Sequence, residues 1–164
     1  MMRYPPANSE YNPRLPASLA FPRPPTFCLP PPQKLAVFGS IPAGAKLPPQ
    51  LVLRINETEE VLGLRLDLAK DYVARWSSSG GKVVVEQGQE REGTTLDHDE
   101  PFKLQVTCDD DGWVVSVNDE TYPHFYHDPE LPWQQISTLD ISGHFEVNFA
   151  GFVAEGNNPR QETP

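Results

Sequence analysis

From Leu35 onward, apolar residues recur at every second position, and this period constrains the fold of the 164-residue chain more than any other feature. Leu51, Leu53 and Ile55 alternate with Val52, Arg54 and Asn56, and Leu62, Leu64, Leu66 and Leu68 alternate with Gly63, Arg65, Asp67 and Ala69. Phe102, Leu104 and Val106 alternate with Lys103, Gln105 and Thr107, and Trp113, Val115 and Val117 with Val114, Ser116 and Asn118. Phe145, Val147 and Phe149 alternate with Glu146, Asn148 and Ala150. Successive side chains of a strand point to opposite faces, so each run predicts a strand with one buried and one wet face. Leu35–Phe38, Val83–Glu86 and Thr138–Ile141 are shorter strand candidates. No amphipathic segment of helical period exceeds two turns, and Asp67–Trp76 allows a short helix at most.

The turn signals agree. Asp109-Asp110-Asp111-Gly112 reads as a hairpin turn with Gly112 at a positive-φ position, and Asn118-Asp119-Glu120 and Ser142-Gly143 read as further turns. Ser77 to Gly81 reads as a flexible loop tip. Eight or more short strands predict an all-β fold, an antiparallel two-sheet sandwich of the jelly-roll kind.

Ten of the 19 prolines lie within residues 1–32. Proline removes a backbone donor and blocks helix, so residues 1–25 read as a Pro-rich disordered arm. Residues 26–153 then form the domain and residues 154–164 a flexible tail. The arm holds Tyr4, Tyr11, Phe21 and Phe27, the last two close enough to pack on the domain. Pro13 with Pro16 and Pro22 with Pro25 have the PxxP spacing that SH3 domains bind, but lack the basic residue of the usual consensus. The arm is therefore either a plain flexible segment or a means of recruiting protein partners.

The net charge is −10. Residues 1–32 carry three arginines against Glu10, so the remainder of the chain carries −12. Such a body repels phosphate backbones and anionic lipid surfaces, which argues against nucleic-acid and membrane partners. No apolar run approaches the roughly 18 residues of a membrane span. Residues Met1–Pro16 have no apolar core of a secretory signal, which predicts a cytoplasmic protein. Two cysteines, Cys28 and Cys108, do not make a disulfide framework, and free thiols in a reducing compartment are expected.

Several motifs together resemble the galectin family. The run Phe102–Cys108, then Trp113 through Asn118-Asp119, then His124-Phe125-Tyr126-His127 is similar to that family's central strand pair and its following turn. Leu131, Ile136, Leu139, Ile141, Gly143 and Phe145 are similar to its closing segment, and Val37-Phe38-Gly39 through Ala45 to its opening. The resemblance covers residues 26–153 and implies a jelly-roll sandwich with a glycan groove on one concave face. Galectins are typically cytosolic and exported without a signal peptide, so the resemblance implies the same here.

A sugar reader needs planar hydrogen-bonding groups on one strand face and an aromatic ring for the sugar's C–H patch. Galectins place His, Asn and Arg at alternate positions of one strand, Asn on the next, then a Trp and a Glu-x-Arg. Here the strand Leu62–Ala69 looks like the first of these, with Arg65, Asp67 and Ala69 at the alternate positions. Val83–Gln87 looks like the next, with Gln87 at the Asn position. Gln89-Glu90-Arg91-Glu92 resembles the end of the last block, in which the Trp is missing. Arg65, Asp67, Gln87, Glu90 and Arg91 therefore either form an altered glycan groove or a ligand-free surface of salt-bridged strands. Trp76, read here as part of a long loop from Asp71 to Gly81 between the groove strands, either swings over the groove or covers the sandwich edge.

Other constellations carry no chemistry. His124 and His127, with His98 and His144 elsewhere, do not supply three or four convergent metal ligands. Asp109–Gly112 lacks the spacing and distal Glu of a calcium loop. Asp97–Glu100 is the nearest acid pair but precedes a proline, and no nucleophile elbow or phosphate loop is present. Asn56-Glu57-Thr58 is a glycosylation sequon that matters only on the secretory route. The expectation is a carbohydrate-binding protein with non-standard groove residues, without catalysis, metal or cofactor. Its partners would be glycans or glycoconjugates, not necessarily β-galactosides. The alternative is a galectin-related protein that has lost β-galactoside binding and works through protein contacts.

Overall fold

The computed structural model describes residues 10–21, 33–67, 72–90, 97–122 and 124–154. Thirteen strands are found among them: β1 (Glu10–Tyr11), β2 (Ala17–Ala20), β3 (Gln33–Ser40), β4 (Gln50–Arg54), β5 (Glu59–Asp67), β6 (Tyr72–Ser79), β7 (Lys82–Glu90), β8 (Pro101–Cys108), β9 (Gly112–Val117), β10 (Glu120–Thr121), β11 (Phe125–Tyr126), β12 (Thr138–Ser142) and β13 (Glu146–Ala154). One short 3-10 turn, Trp133–Gln135, precedes β12.

The strands form two antiparallel sheets. The first runs β1-β13-β3-β8-β9-β10, with β11 also pairing β9, and the second runs β2-β12-β4-β5-β6-β7. The period-two runs dictate the packing. Leu35, Val37, Leu104, Val106, Val115 and Val117 come from the first sheet, and Leu51, Leu53, Leu62, Leu64, Leu66, Leu139 and Ile141 from the second. Together they make one core cluster, each nearly inaccessible to water. The alternate positions of the second sheet lie on its other face, where Arg54, Arg65 and Asp140 remain partly exposed.

Three segments differ from the sequence expectations. Tyr72–Ser79 is a full strand inside the second sheet, neither helix nor loop. It carries Arg75 and Ser77 at core-facing positions, only 2% and 1% exposed, so its pattern hides its burial. The guanidinium of Arg75 lies 5.9 Å from the Tyr122 ring centroid, where a cation–π contact offsets part of its desolvation. The Ser77–Gly81 segment is a tight hairpin: Gly80 and Gly81, at φ +61° and +80°, make the two-residue turn that matches strand twist.

Within the segment read as an arm, Glu10–Tyr11 pairs with β13 and Ala17–Ala20 with β12. Both are edge strands, the one sheet position that tolerates neighbouring prolines. Phe21 packs into the core, whereas Phe27 lies outside the described residues, as do residues 1–9 and 155–164.

The Asp109–Gly112 hairpin forms, but Gly112 does not adopt positive φ. Glycine is needed there for close approach, because a Cβ would lie 2.3 Å from the Phe125 carbonyl oxygen. Cys108 is disulfide-bonded, which corrects the expectation of free thiols; the chain's other cysteine, Cys28, lies outside the described residues.

Candidate functional site

The outer face of the second sheet gathers the polar side chains that the core excludes. Register places them in rows across the strands. One row is Asp140, Val52, Gly63, Trp76 and Glu86, and beside it runs Ser142, Gln50, Arg65, Ala74 and Gly88. A third row, on the other side of the first, is Thr138, Arg54, Glu60 and Ser78.

Trp76 organises this face. It is 8% exposed but does not belong to the core cluster, because its ring lies on the outer face over Gly63. A Cβ at position 63 would meet Trp76 Cε2 at 2.1 Å, so only glycine allows the ring to lie flat on the neighbouring strand. The indole Nε1–H donates to Glu60 Oε1 at 2.8 Å, and the Ser78 hydroxyl donates to the same oxygen at 2.9 Å. Arg54 binds Glu60 Oε2 at 2.8 Å and Asp140 Oδ2 at 2.6 Å, so one guanidinium links carboxylates on two flanking strands. From the second row, the Arg65 guanidinium covers the ring, its Cζ 5.6 Å from the centroid. Asp67 follows two residues along the same face and is half-buried. Beside it a cavity of about 330 Å³ opens, lined by Leu47, Pro48, Leu66, Asp67, Asp97 and His98.

Of the residues singled out in the sequence, the fold brings Arg65, Asp67 and Trp76 to one face. Trp76 does not reach it from a loop. It sits on β6, and the strand following β5 is therefore Tyr72–Ser79 rather than Val83–Gln87. Gln87 pairs with Arg75, a core-facing residue, and so falls on the other register parity from Trp76. Glu90 pairs with Tyr72, itself opposite Asp67, which gives it the parity of the Arg65 face. Arg91 lies outside the described residues.

Sequence reasoning missed Glu60, Arg54, Ser78 and Asp140. A signal for Arg54 and Asp140 was present, since both occupy wet positions of strands found by alternation. Glu60 lay in a stretch assigned to no strand.

A second polar cluster lies on the first sheet. His124 Nε2 approaches Asp109 Oδ2 at 2.7 Å, and His127 Nε2–H donates to the Asp109 carbonyl at 2.8 Å. His127 also stands edge-on to Trp113, ring centroids 5.3 Å apart. The hydrogen bond from His124 holds the Asp109 carboxyl below the usual carboxylate range, and the Gly112 and Asp111 amides add to the effect. These contacts close the β8–β9 turn, and no group of three metal-ligating side chains occurs among the described residues.

Two stacked antiparallel sheets, one carrying an outer face of arginine, carboxylate and tryptophan, define a lectin-type sandwich. The family model for galactoside-binding lectins matches residues 31–151, and the chain belongs to that family. The solved structures agree on the fold. A double variant of human galectin-16 is 14% identical with a TM-score of 0.73, covering 88% of this chain and 99% of that one. The Caenorhabditis elegans galectin LEC-6 is 17% identical with a TM-score of 0.71, covering 92% and 99%. Sheep galectin-11, solved with glycerol, is 19% identical with a TM-score of 0.68, covering 84% and 97%. No curated protein sequence matches the chain. Among the described residues, no helix is long and apolar enough to cross a membrane.

Proposed function

We propose that the protein binds glycans on the outer face of the second sheet, through Arg65, Asp67 and Trp76, and performs no catalysis. The observation that supports this most strongly is Trp76, held flat on Gly63 by Glu60 and flanked by arginine and carboxylate groups. An aromatic floor with fork-shaped donors and acceptors beside it suits a sugar, which offers C–H groups on one side and diols on the other. The residues are not the family's usual set, so the preferred sugar differs from a simple β-galactoside. Glu90 and Arg91 extend the site in this proposal, and Gln87 contributes less because of its register.

The alternative, a protein-binding role, gains little from the surface. Among the described residues the large exposed apolar side chains are Leu47, in the loop before β4, Val83 on β7 and Tyr126 on β11, strands of different sheets. In this proposal the Pro-rich segment serves the lectin domain, to which it lends edge strands β1 and β2. Location follows the family's habit, with synthesis in the cytoplasm and export without a signal peptide. The disulfide at Cys108 suits an oxidising destination.

The test is a glycan array probed with the folded full-length chain. Hits that disappear in Trp76→Ala and in Arg65→Ala, both shown to be folded, support the proposal. A blank array refutes it and turns attention to protein partners.

A further inference from the structure

The two arginines of the outer face differ in one respect. Arg54 is saturated, with a carboxylate on each side at 2.8 and 2.6 Å. Arg65 has no hydrogen bond or ion pair among the described residues, and its guanidinium lies over the Trp76 ring instead. In a chain with 23 acidic and 13 basic residues, a groove arginine without a carboxylate partner stands out. The position of Arg65 has a second consequence. Trp76 is only 8% exposed, so the ring that would carry a sugar is covered.

We propose that Arg65 is the anion-reading gate of this groove, and that its ligand is a glycan bearing a sulfate or a carboxylate. This rests on the glycan-binding role proposed above and names the ligand class. An anionic group offers the guanidinium two parallel charge-assisted hydrogen bonds, which a neutral hydroxyl pair does not match. Turning toward that group takes Arg65 off the indole and opens the ring face to the sugar's C–H patch. A neutral sugar must displace the same cation–π contact with weaker hydrogen bonds in return. The acidic body does not forbid this, because at physiological salt charges beyond about 8 Å are screened while a contact pair is not. Of the carboxylates on this face, Glu60 and Asp140 are already engaged by Arg54.

The test uses the full-length chain and one oligosaccharide in three forms: neutral, sulfated and carboxylated. Affinities are measured by calorimetry, and the Trp76 indole N–H is followed by NMR, assigned by its loss in Trp76→Phe. Each anionic form is expected to bind about tenfold or more tightly than the neutral one, a difference of about 1.4 kcal/mol. The Trp76 signal is expected to shift with the anionic forms. Arg65→Met keeps an aliphatic cover on the ring but removes the charge, and is expected to abolish the preference; Arg65→Lys is expected to restore part of it. Inorganic sulfate alone is the control.

Equal binding of the three forms, or a preference that survives in folded Arg65→Met, overturns the gate while leaving the glycan-binding role intact. Inorganic sulfate that shifts Trp76 as far as the sulfated glycan shows an adventitious ion only, and also overturns it. Binding of no form overturns both.

Discussion

Replacing Gly63 with alanine tests whether Trp76 lies flat on the sheet. The new Cβ would sit 2.1 Å from Cε2 and 2.5 Å from Nε1, where ordinary contact begins near 3.4 Å, so the ring must retreat by about 1.3 Å. A shift of that size along the ring normal stretches the in-plane Nε1–Glu60 bond from 2.8 Å to about 3.1 Å and bends it out of the indole plane, which weakens it. Overpacking costs about 1–3 kcal/mol. Full loss of a hydrogen bond to a charged group costs about 1.5–3 kcal/mol, and less than that range is forfeited here because the bond is strained rather than lost and Glu60 is 19% exposed to water. The lower backbone entropy of alanine returns about 0.5–1 kcal/mol. The net is a destabilisation of about 2 kcal/mol, or about 4–8 °C in Tm for a domain of this size. The assay is a double-mutant cycle by thermal and denaturant unfolding. In a Trp76→Ala background the clash has no partner, so Gly63→Ala is expected to be neutral or slightly stabilising. An equal cost in both backgrounds would refute the flat-ring geometry.

Three further outcomes are expected. Reduction of the disulfide, or Cys108→Ser, is expected to lower stability by about 2–4 kcal/mol, seen as a Tm drop with reductant in the wild type and none in the variant. Asp109 has its carboxyl pKa lowered in the folded state, so it stabilises above its unfolded value near 4 and loses that effect as pH falls through the lower folded value. Asp109→Asn is therefore expected to flatten the acid side of the Tm–pH profile, and an unchanged slope would remove Asp109 as a contributor. Arg54→Met leaves Glu60 and Asp140 without their shared cation; as Arg54 is 24% exposed, a loss of about 1 kcal/mol is expected, shrinking when Asp140 is also changed to Asn.

Alternation found β4, β5, β8, β9 and β13 because each buries one face in the sandwich core. It failed at β6 for a physical reason. There the core-facing positions hold Arg75 and Ser77, while the outer face holds Ala74 and Trp76, so the pattern is inverted relative to its neighbours. Missing that strand had consequences for the site. It turned Trp76 into a loop residue and moved Val83–Gln87 one place inward in the sheet, which set Gln87 on the wrong parity. The edge strands Glu10–Tyr11 and Ala17–Ala20 were hidden by the surrounding prolines, whose local preference for extended chain is compatible with an edge. Arg65 and Asp67 were legible as a pair because two-residue spacing alone puts them on one face. Their relation to Trp76 was not, since it depends on the register of β5 with β6 and on the missing side chain at Gly63.

Four polar groups of this face, Arg54, Glu60, Ser78 and Asp140, already have partners. Glu60 accepts from Trp76 and Ser78 and pairs with Arg54, and Arg54 also holds Asp140. A face so satisfied gains little from a ligand that only repeats those contacts, because each new hydrogen bond replaces one already made. A ligand gains affinity where it offers what the protein does not supply to itself. Arg65, which has an aromatic ring beneath it but no anion, is the place where the structure leaves that gain open. Stability and recognition also meet in Glu60, so a change that loosens Trp76 is expected to alter both. Binding losses in Glu60 or Gly63 variants thus report on the groove only when matched by their unfolding free energies. Arg65, which no described ion pair ties to the fold, is the position where the two effects separate most cleanly.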